Sequence, residues 1–146
     1  MMNPIYQGAF PGTIENGRVP LPSRLRDIYE VKTGLPAEEM TLYCQRTYED
    51  YNGFQVPLLK LFDHRLARTT LSTDKNPLLG LFDHNSTETN ELSVDKTFRV
   101  SIPKNLRDCL DLDGRVVFVG AEDHIKLVNR MFWDIFFKPL RRQSVA

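Results

Sequence analysis

The clearest pattern of apolar and polar positions lies in the second half of the chain. Leu92 and Val94 alternate with polar residues, and after a short polar stretch Val100 and Ile102 alternate again. Alternation with a period of two is typical of β-strands, so this segment is predicted to form a hairpin. Pro103 follows and favours the start of a helix, since proline suits the first helical turn. The pattern therefore predicts strand, turn, strand and helix in direct succession.

The same pattern occurs twice in the chain. Residues 99–108 repeat residues 18–27 at a constant offset of 81 positions, and six of the ten residues are identical. In the first copy Asn16-Gly17 precedes the arginine, which is a strong signal for a two-residue hairpin turn. Gly34 is predicted to end the first helix and Gly114 the second. The chain is thus predicted to be a tandem of two related units.

The helices of the two units share one set of apolar positions with i, i+3, i+4 spacing, which predicts one buried face on each helix. The set is Leu25, Ile28 and Tyr29 in the first unit, and Leu106, Cys109 and Leu110 in the second. Cys44 also lies in an apolar pattern, so both cysteines are predicted to be buried thiols rather than parts of a disulfide or zinc site.

Further elements follow each predicted helix. The β-branched and aromatic runs 40–44, 115–119 and 124–128 are predicted to be strands. Asn129 is a good N-cap for a helix over residues 130–138, which Pro139 would stop. That helix is apolar nearly all round, which predicts burial on two sides, within the fold and against a second chain.

The middle of the chain contains a shorter duplication. Residues 57–64, PLLKLFDH, recur as residues 77–84, PLLGLFDH, with seven of eight identical. The paired Asp-His could suit a divalent metal, but the ligand set is sparse. The favoured interpretation is a duplicated amphipathic segment whose leucines and phenylalanines pack on the core, so no metal site is predicted.

Composition narrows the function classes. Formal net charge is zero, so nucleic-acid binding would have to come from a local basic surface or from repeated weak contacts. Neither a signal peptide nor a membrane span is expected, because the N-terminus has no basic region with an apolar run and nowhere do 18 apolar residues follow one another. The three histidines lie in no nucleophile or metalloenzyme motif. We therefore expect a cytosolic protein that is not an enzyme and uses no cofactor.

The second unit resembles the MraZ family, whose two halves are SpoVT/AbrB-type units. The likeness rests on Asp95-Lys-Thr-Phe-Arg99, Val-Ser-Ile-Pro-Lys-Asn-Leu-Arg107, the run Leu112 to Gly120, and Trp133. Residues 8–26 resemble the family's opening pattern. The resemblance implies an α+β fold, in which two tandem swapped-hairpin units interleave into one sheet or barrel with short flanking helices. The predicted division is 5–56 for the first repeat, 57–90 for a connecting segment and 91–140 for the second repeat.

Two departures from the family pattern concern the turns. Phe98 stands where the family usually has glycine, so the second turn must form without the residue that takes positive φ freely. The first turn is one residue shorter and has no acid four positions before Arg18, where Ile14 stands; Glu15 is the nearest acid. Both turns are therefore expected to differ from the family geometry.

The resemblance implies a ring-forming, nucleoid-associated transcription regulator of a division and cell-wall gene cluster, which binds repeated promoter boxes in double-stranded DNA. The family's D-x-x-x-R arginines contact DNA, which carries over to Arg18 and to Arg99 with its orienting Asp95. Lys96, Lys104 and Arg24, with Arg26 and Arg107, lie near the same turns and are candidates for phosphate contacts. The alternatives are an oligomeric scaffold or interaction module without DNA recognition, and an antitoxin-like module with a toxin partner.

Overall fold

The computed structural model describes residues 4–64, 89–112 and 114–138. The strands in these ranges are β1 (Ala9–Ile14), β2 (Arg18–Pro20), β3 (Leu42–Tyr51), β4 (Phe54–Phe62), β5 (Asn90–Leu92), β6 (Arg99–Ser101), β7 (Gly114–Ala121) and β8 (His124–Asn129). The helices are α1 (Ser23–Thr33), α2 (Lys104–Leu110) and α3 (Arg130–Phe132), and α3 continues as a π-helical turn over Trp133–Phe137. A 3-10 turn, Ala37–Glu39, precedes β3.

Six strands form one antiparallel sheet in the order β1-β7-β8-β4-β3-β5. Each half of the chain lends its first strand to the hairpin of the other half, because β1 pairs with β7 and β5 pairs with β3. The order is unchanged when the two units are exchanged, so an approximate two-fold axis relates them. The predicted α+β fold of interleaved swapped hairpins is confirmed.

Strands β2 and β6 form a separate two-stranded ribbon. Val19 pairs with Val100 at its centre, and these residues occupy equivalent positions in the repeat, as a two-fold axis through the ribbon requires. Both valines are fully buried. Since side chains alternate along a strand, Arg18 and Arg99 lie on the opposite, outward face.

The helices cover the larger core cluster with the predicted spacing. Leu25 and Tyr29 of α1 and Leu106 and Leu110 of α2 are all buried. Each such side chain contributes about 1.5–3 kcal/mol through burial. The prediction for Cys109 is wrong, because its side chain is exposed at the edge of this short helix.

The second helix ends earlier than predicted. Asp111, three residues before Gly114, is the left-handed residue that ends α2, with φ of +51°. The Leu112 N–H donates to the Arg107 carbonyl over 2.9 Å, as in a Schellman motif, and Leu112 is fully buried. Burial of the residue that follows the cap thus compensates for the missing glycine at position 111.

Strand β4 contains most of the first copy of the duplicated segment. Leu58, Leu59, Leu61 and Phe62 are buried there, which confirms that this copy packs on the core. The strand crosses the predicted boundary at residue 57, and the division of the chain into domains stays a prediction. The second copy, 77–84, lies outside the described residues.

The C-terminal helix packs on the opposite face of the sheet. The Asn129 side chain accepts a hydrogen bond from the Met131 N–H over 2.8 Å, which confirms the predicted N-cap. Trp133 and Phe137 are buried in the second core cluster, whereas Met131 and Ile135 are 57% and 55% exposed. Burial of these exposed side chains against a second chain stays a prediction. Across the described residues, no helix has the length and apolar content needed to cross a membrane.

Candidate nucleic-acid interface

The first turn, between β1 and β2, has two residues. The Arg18 N–H donates to the Glu15 carbonyl over 3.0 Å, and the Glu15 N–H donates to the Arg18 carbonyl over 2.8 Å. Asn16 and Gly17 have φ of +52° and +76°, which is the geometry of a type I′ turn. The turn predicted from Asn-Gly is confirmed.

The second turn, before β6, has three residues between Asp95 and Arg99. The Phe98 N–H donates to the Asp95 carbonyl and the Asp95 N–H to the Arg99 carbonyl, each over 3.0 Å. Phe98 has φ of +62° and stands at the left-handed position that glycine usually fills in such loops. The extra residue of the second turn is therefore a bulge that keeps the arginines equivalent.

Arginines from the helices pack on the tips of both turns. Arg26 lies over the Phe98 ring, 4.2 Å from its centroid, and both side chains are half-buried. Such a cation–π contact contributes about 0.5–1 kcal/mol or more. Arg107, its equivalent in the repeat, lies beside Gly17, where an added Cβ would be 3.4 Å from Nη2. Its Nε donates to the Ile102 carbonyl over 3.0 Å. Each of these two arginines thus contacts the turn of the other unit.

Asp95 is the centre of the polar contacts at the ribbon. Its Oδ1 accepts hydrogen bonds from the Thr97 N–H, the Thr97 hydroxyl and the Arg99 N–H over 2.9, 2.8 and 3.0 Å. Its Oδ2 lies 2.9 Å from Arg99 Nε and 3.8 Å from Arg18 Nη1. The bond from the Arg99 backbone, followed by those from Thr97 and the charge of Arg99, lowers the pKa of Asp95 to about 2. The carboxylate is therefore ionised at neutral pH.

The structure brings three of the predicted site residues together. Arg18 and Arg99 come from different repeats, yet both side chains contact Asp95, and they remain 49% and 45% exposed. The acid that the first unit lacks is thus supplied by the second. Sequence reasoning missed this sharing, because it depends on the pairing of β2 with β6. It also missed Thr97, although a hydroxyl two residues after an aspartate is a known turn signal.

The other predicted DNA-contacting residues, Lys96, Lys104 and Arg24, make no side-chain hydrogen bond or ion pair with Asp95 in the described residues. Lys96 is exposed in the second turn, and Lys104 is exposed at the start of α2. Lys104 and Arg18 line a cavity of about 330 Å³, while Arg18 and Arg99 line a second one of about 600 Å³ on the other side of the ribbon. Arg24 is exposed on α1 and lines a different hollow with Ile5 and Val31.

The first Asp-His pair noted in the sequence, Asp63-His64, forms a contact between adjacent residues, and so does Asp123-His124. Nδ1 of His64 lies 2.7 Å from Asp63, and Nδ1 of His124 lies 2.7 Å from Asp123. His84 lies outside the described residues. In residues 4–64, 89–112 and 114–138, no group of three or more His, Cys, Asp or Glu side chains could hold a metal ion.

A family model described as "MraZ protein, putative antitoxin-like" matches residues 86–146. The matched segment, which is less than half of the chain, resembles the MraZ family. The match spans β5 through α3, and so it includes Asp95, Thr97 and Arg99 of the candidate site. It confirms the resemblance of the second unit to this family, whose model is described as antitoxin-like. A search of curated proteins found no match.

Proposed function

We propose that this chain, whose residues 86–146 match the MraZ family model, is a DNA-binding transcription regulator that contacts DNA through the outward face of the β2/β6 ribbon. One observation carries the proposal: two exposed arginines from different repeats converge on one carboxylate at that face. The major groove of B-DNA admits a two-stranded β-ribbon, and arginine bonds guanine or phosphate through two donors at once. The ribbon therefore offers suitable donors on an element of suitable size.

The remaining basic candidates have a supporting role in the proposal. Lys96 and Lys104 are exposed beside the ribbon, where they would contact phosphates, and Arg24 would reach DNA only along α1. Phosphate contacts position a protein on the duplex, whereas base contacts give specificity. Substitution of these residues should therefore weaken binding to all DNA sequences alike.

Oligomerisation is the second part of the proposal. With zero net charge, one subunit would bind DNA weakly, whereas a ring that presents the ribbon several times gains affinity through effective concentration. Met131 and Ile135 on α3 are exposed apolar side chains that a second copy could cover, and Ile5 and Val31 border a hollow on α1. Contact between two unlike patches is heterologous, and such contacts form a ring when the rotation between neighbouring subunits closes. By family likeness, the targets would be repeated boxes before division and cell-wall genes.

A gel-shift titration with DNA from upstream of the protein's own gene tests the proposal. Arg18→Ala and Arg99→Ala should each weaken binding about tenfold or more. Arg46→Ala is the matched control, because Arg46 lies on β3, outside the ribbon and the apolar patches, and its Nη1 lies 3.8 Å from Cys109 Sγ. Its affinity should stay within about twofold of the unsubstituted protein. Binding that is indifferent to both ribbon substitutions would exclude this site.

A scaffold or interaction module is the second candidate function. The exposed apolar side chains of α3 favour it, since they would serve assembly whether or not DNA is bound. Light scattering that finds stable oligomers, together with no gel shift on any promoter DNA, would support this alternative. An antitoxin-like module would instead copurify with a toxin from its native host.

A further inference from the structure

The contacts at Asp95 hold the two arginines unequally. We propose that Arg99 is the residue that recognises a guanine base, and that Arg18 contacts the phosphate backbone. This inference rests on the proposed DNA-binding function and assigns different roles within the same site. It makes Asp95 and Thr97 positioning residues for Arg99.

Arg99 is fixed at one edge of its guanidinium group. Its Nε donates to both Asp95 Oδ2 and Thr97 Oγ1, each over 2.9 Å, and its backbone N–H donates to Asp95 Oδ1. Of the five guanidinium N–H donors, these contacts use one, so the donors on the two terminal nitrogens are available to a ligand. A guanidinium held in one orientation loses little conformational freedom on binding. Two N–H donors held in a fixed orientation suit guanine, because its O6 and N7 acceptors must be approached from one direction.

Within the described residues, the Arg18 side chain makes its polar contact at the tip of its guanidinium group. Its Nη1 lies 3.8 Å from Asp95 Oδ2, which is longer than a hydrogen bond. A contact of this length does not fix the direction of the Arg18 guanidinium, so Arg18 would lose more conformational freedom than Arg99 on binding a base. A phosphate accepts a cation from many directions, so it tolerates this looser side chain. The geometry thus favours a contact with a DNA base for Arg99 and a contact with a DNA phosphate for Arg18.

Exchange of each arginine for lysine tests the assignment, because lysine keeps the charge but lacks the planar fork. The measurement is affinity for the upstream DNA and for duplexes in which each base pair is changed in turn. Arg99→Lys should abolish discrimination at one guanine, a loss of about 5- to 150-fold in relative affinity. Arg18→Lys should preserve discrimination at every position. Arg18→Ala should weaken binding to all sequences alike and reduce the salt slope by about one.

Thr97 provides the test of positioning. Thr97→Val removes the hydroxyl at nearly constant volume and should reduce discrimination at the guanine that Arg99 recognises, whereas Thr97→Ser should retain it. A purely structural role would alter stability without changing base preference. Discrimination lost in Arg18→Lys but kept in Arg99→Lys, or lost equally in both, overturns the assignment and leaves the proposed function standing. If the unsubstituted protein prefers no upstream DNA over scrambled duplexes, both are overturned.

Discussion

The two turns at the ribbon occupy equivalent positions in the repeat but differ in length and chemistry. The first is a two-residue turn with Gly17 at its left-handed position, and the second is a three-residue turn with Phe98 there. An acid precedes each turn, Glu15 in the first and Asp95 in the second, and within the described residues it is Asp95 that contacts the arginines of both units. In an interleaved fold, one half can therefore lose a functional group without loss of the site, because the other half reaches across the axis to replace it.

Removal of core side chains should show whether the two halves are truly one unit. Leu25→Ala and Leu106→Ala each delete a buried side chain from equivalent helices, and each should lower the free energy of unfolding by about 2–5 kcal/mol. Since the sheet pairs strands of one half with strands of the other, both variants should unfold in a single transition, measured by urea titration. Cys109→Ala, at an exposed position, is the matched control. Two separable transitions would show that the halves fold independently.

Substitutions at Gly17 and Phe98, the equivalent left-handed positions of the two turns, should change the free energy of unfolding differently. Gly17→Ala forces a side chain into a left-handed conformation and towards Arg107, so it should cost about 1–2 kcal/mol of unfolding free energy. Phe98→Gly relieves the same kind of strain but loses the contact with Arg26, so its net effect should be neutral or stabilising by up to about 1 kcal/mol. Thermal unfolding of both variants measures this difference.

A double-mutant cycle separates the backbone strain at Phe98 from the contact of its ring with Arg26. Arg26→Ala should destabilise the protein when Phe98 is present, and the coupling should be about 0.5–1 kcal/mol. In the Phe98→Gly background the same substitution should cost less. If Arg26→Ala costs the same free energy of unfolding in both backgrounds, the contact of Arg26 with the Phe98 ring does not offset the backbone strain at Phe98.

Local patterns in the sequence predicted the individual elements of the site but not the contacts between them. Asn16-Gly17 predicted its own turn, because the conformation depends on those two residues alone. The repeat predicted that Arg18 and Arg99 are equivalent. Their common contact with Asp95 could not be predicted from spacing, since it depends on which strands pair across the two halves. The early end of α2 at Asp111 was likewise set by burial of Leu112, which is a tertiary effect.

The smallest expected effect is the acid dependence of the second turn, which depends on Asp95, the carboxylate shared by the arginines of the two units. Hydrogen bonds from Arg99 and Thr97 lower the pKa of Asp95 from its ordinary 3.8 to about 2. Because the folded-state pKa is the lower one, the carboxylate contributes stability above about pH 4, and this contribution is lost as the pH falls towards 2. Carboxyl NMR shifts should report a titration midpoint near pH 2 for Asp95. In Asp95→Asn this part of the pH dependence should disappear, while an ordinary midpoint near pH 4 in the unsubstituted protein would mean that the contacts with Arg99 and Thr97 do not persist in solution.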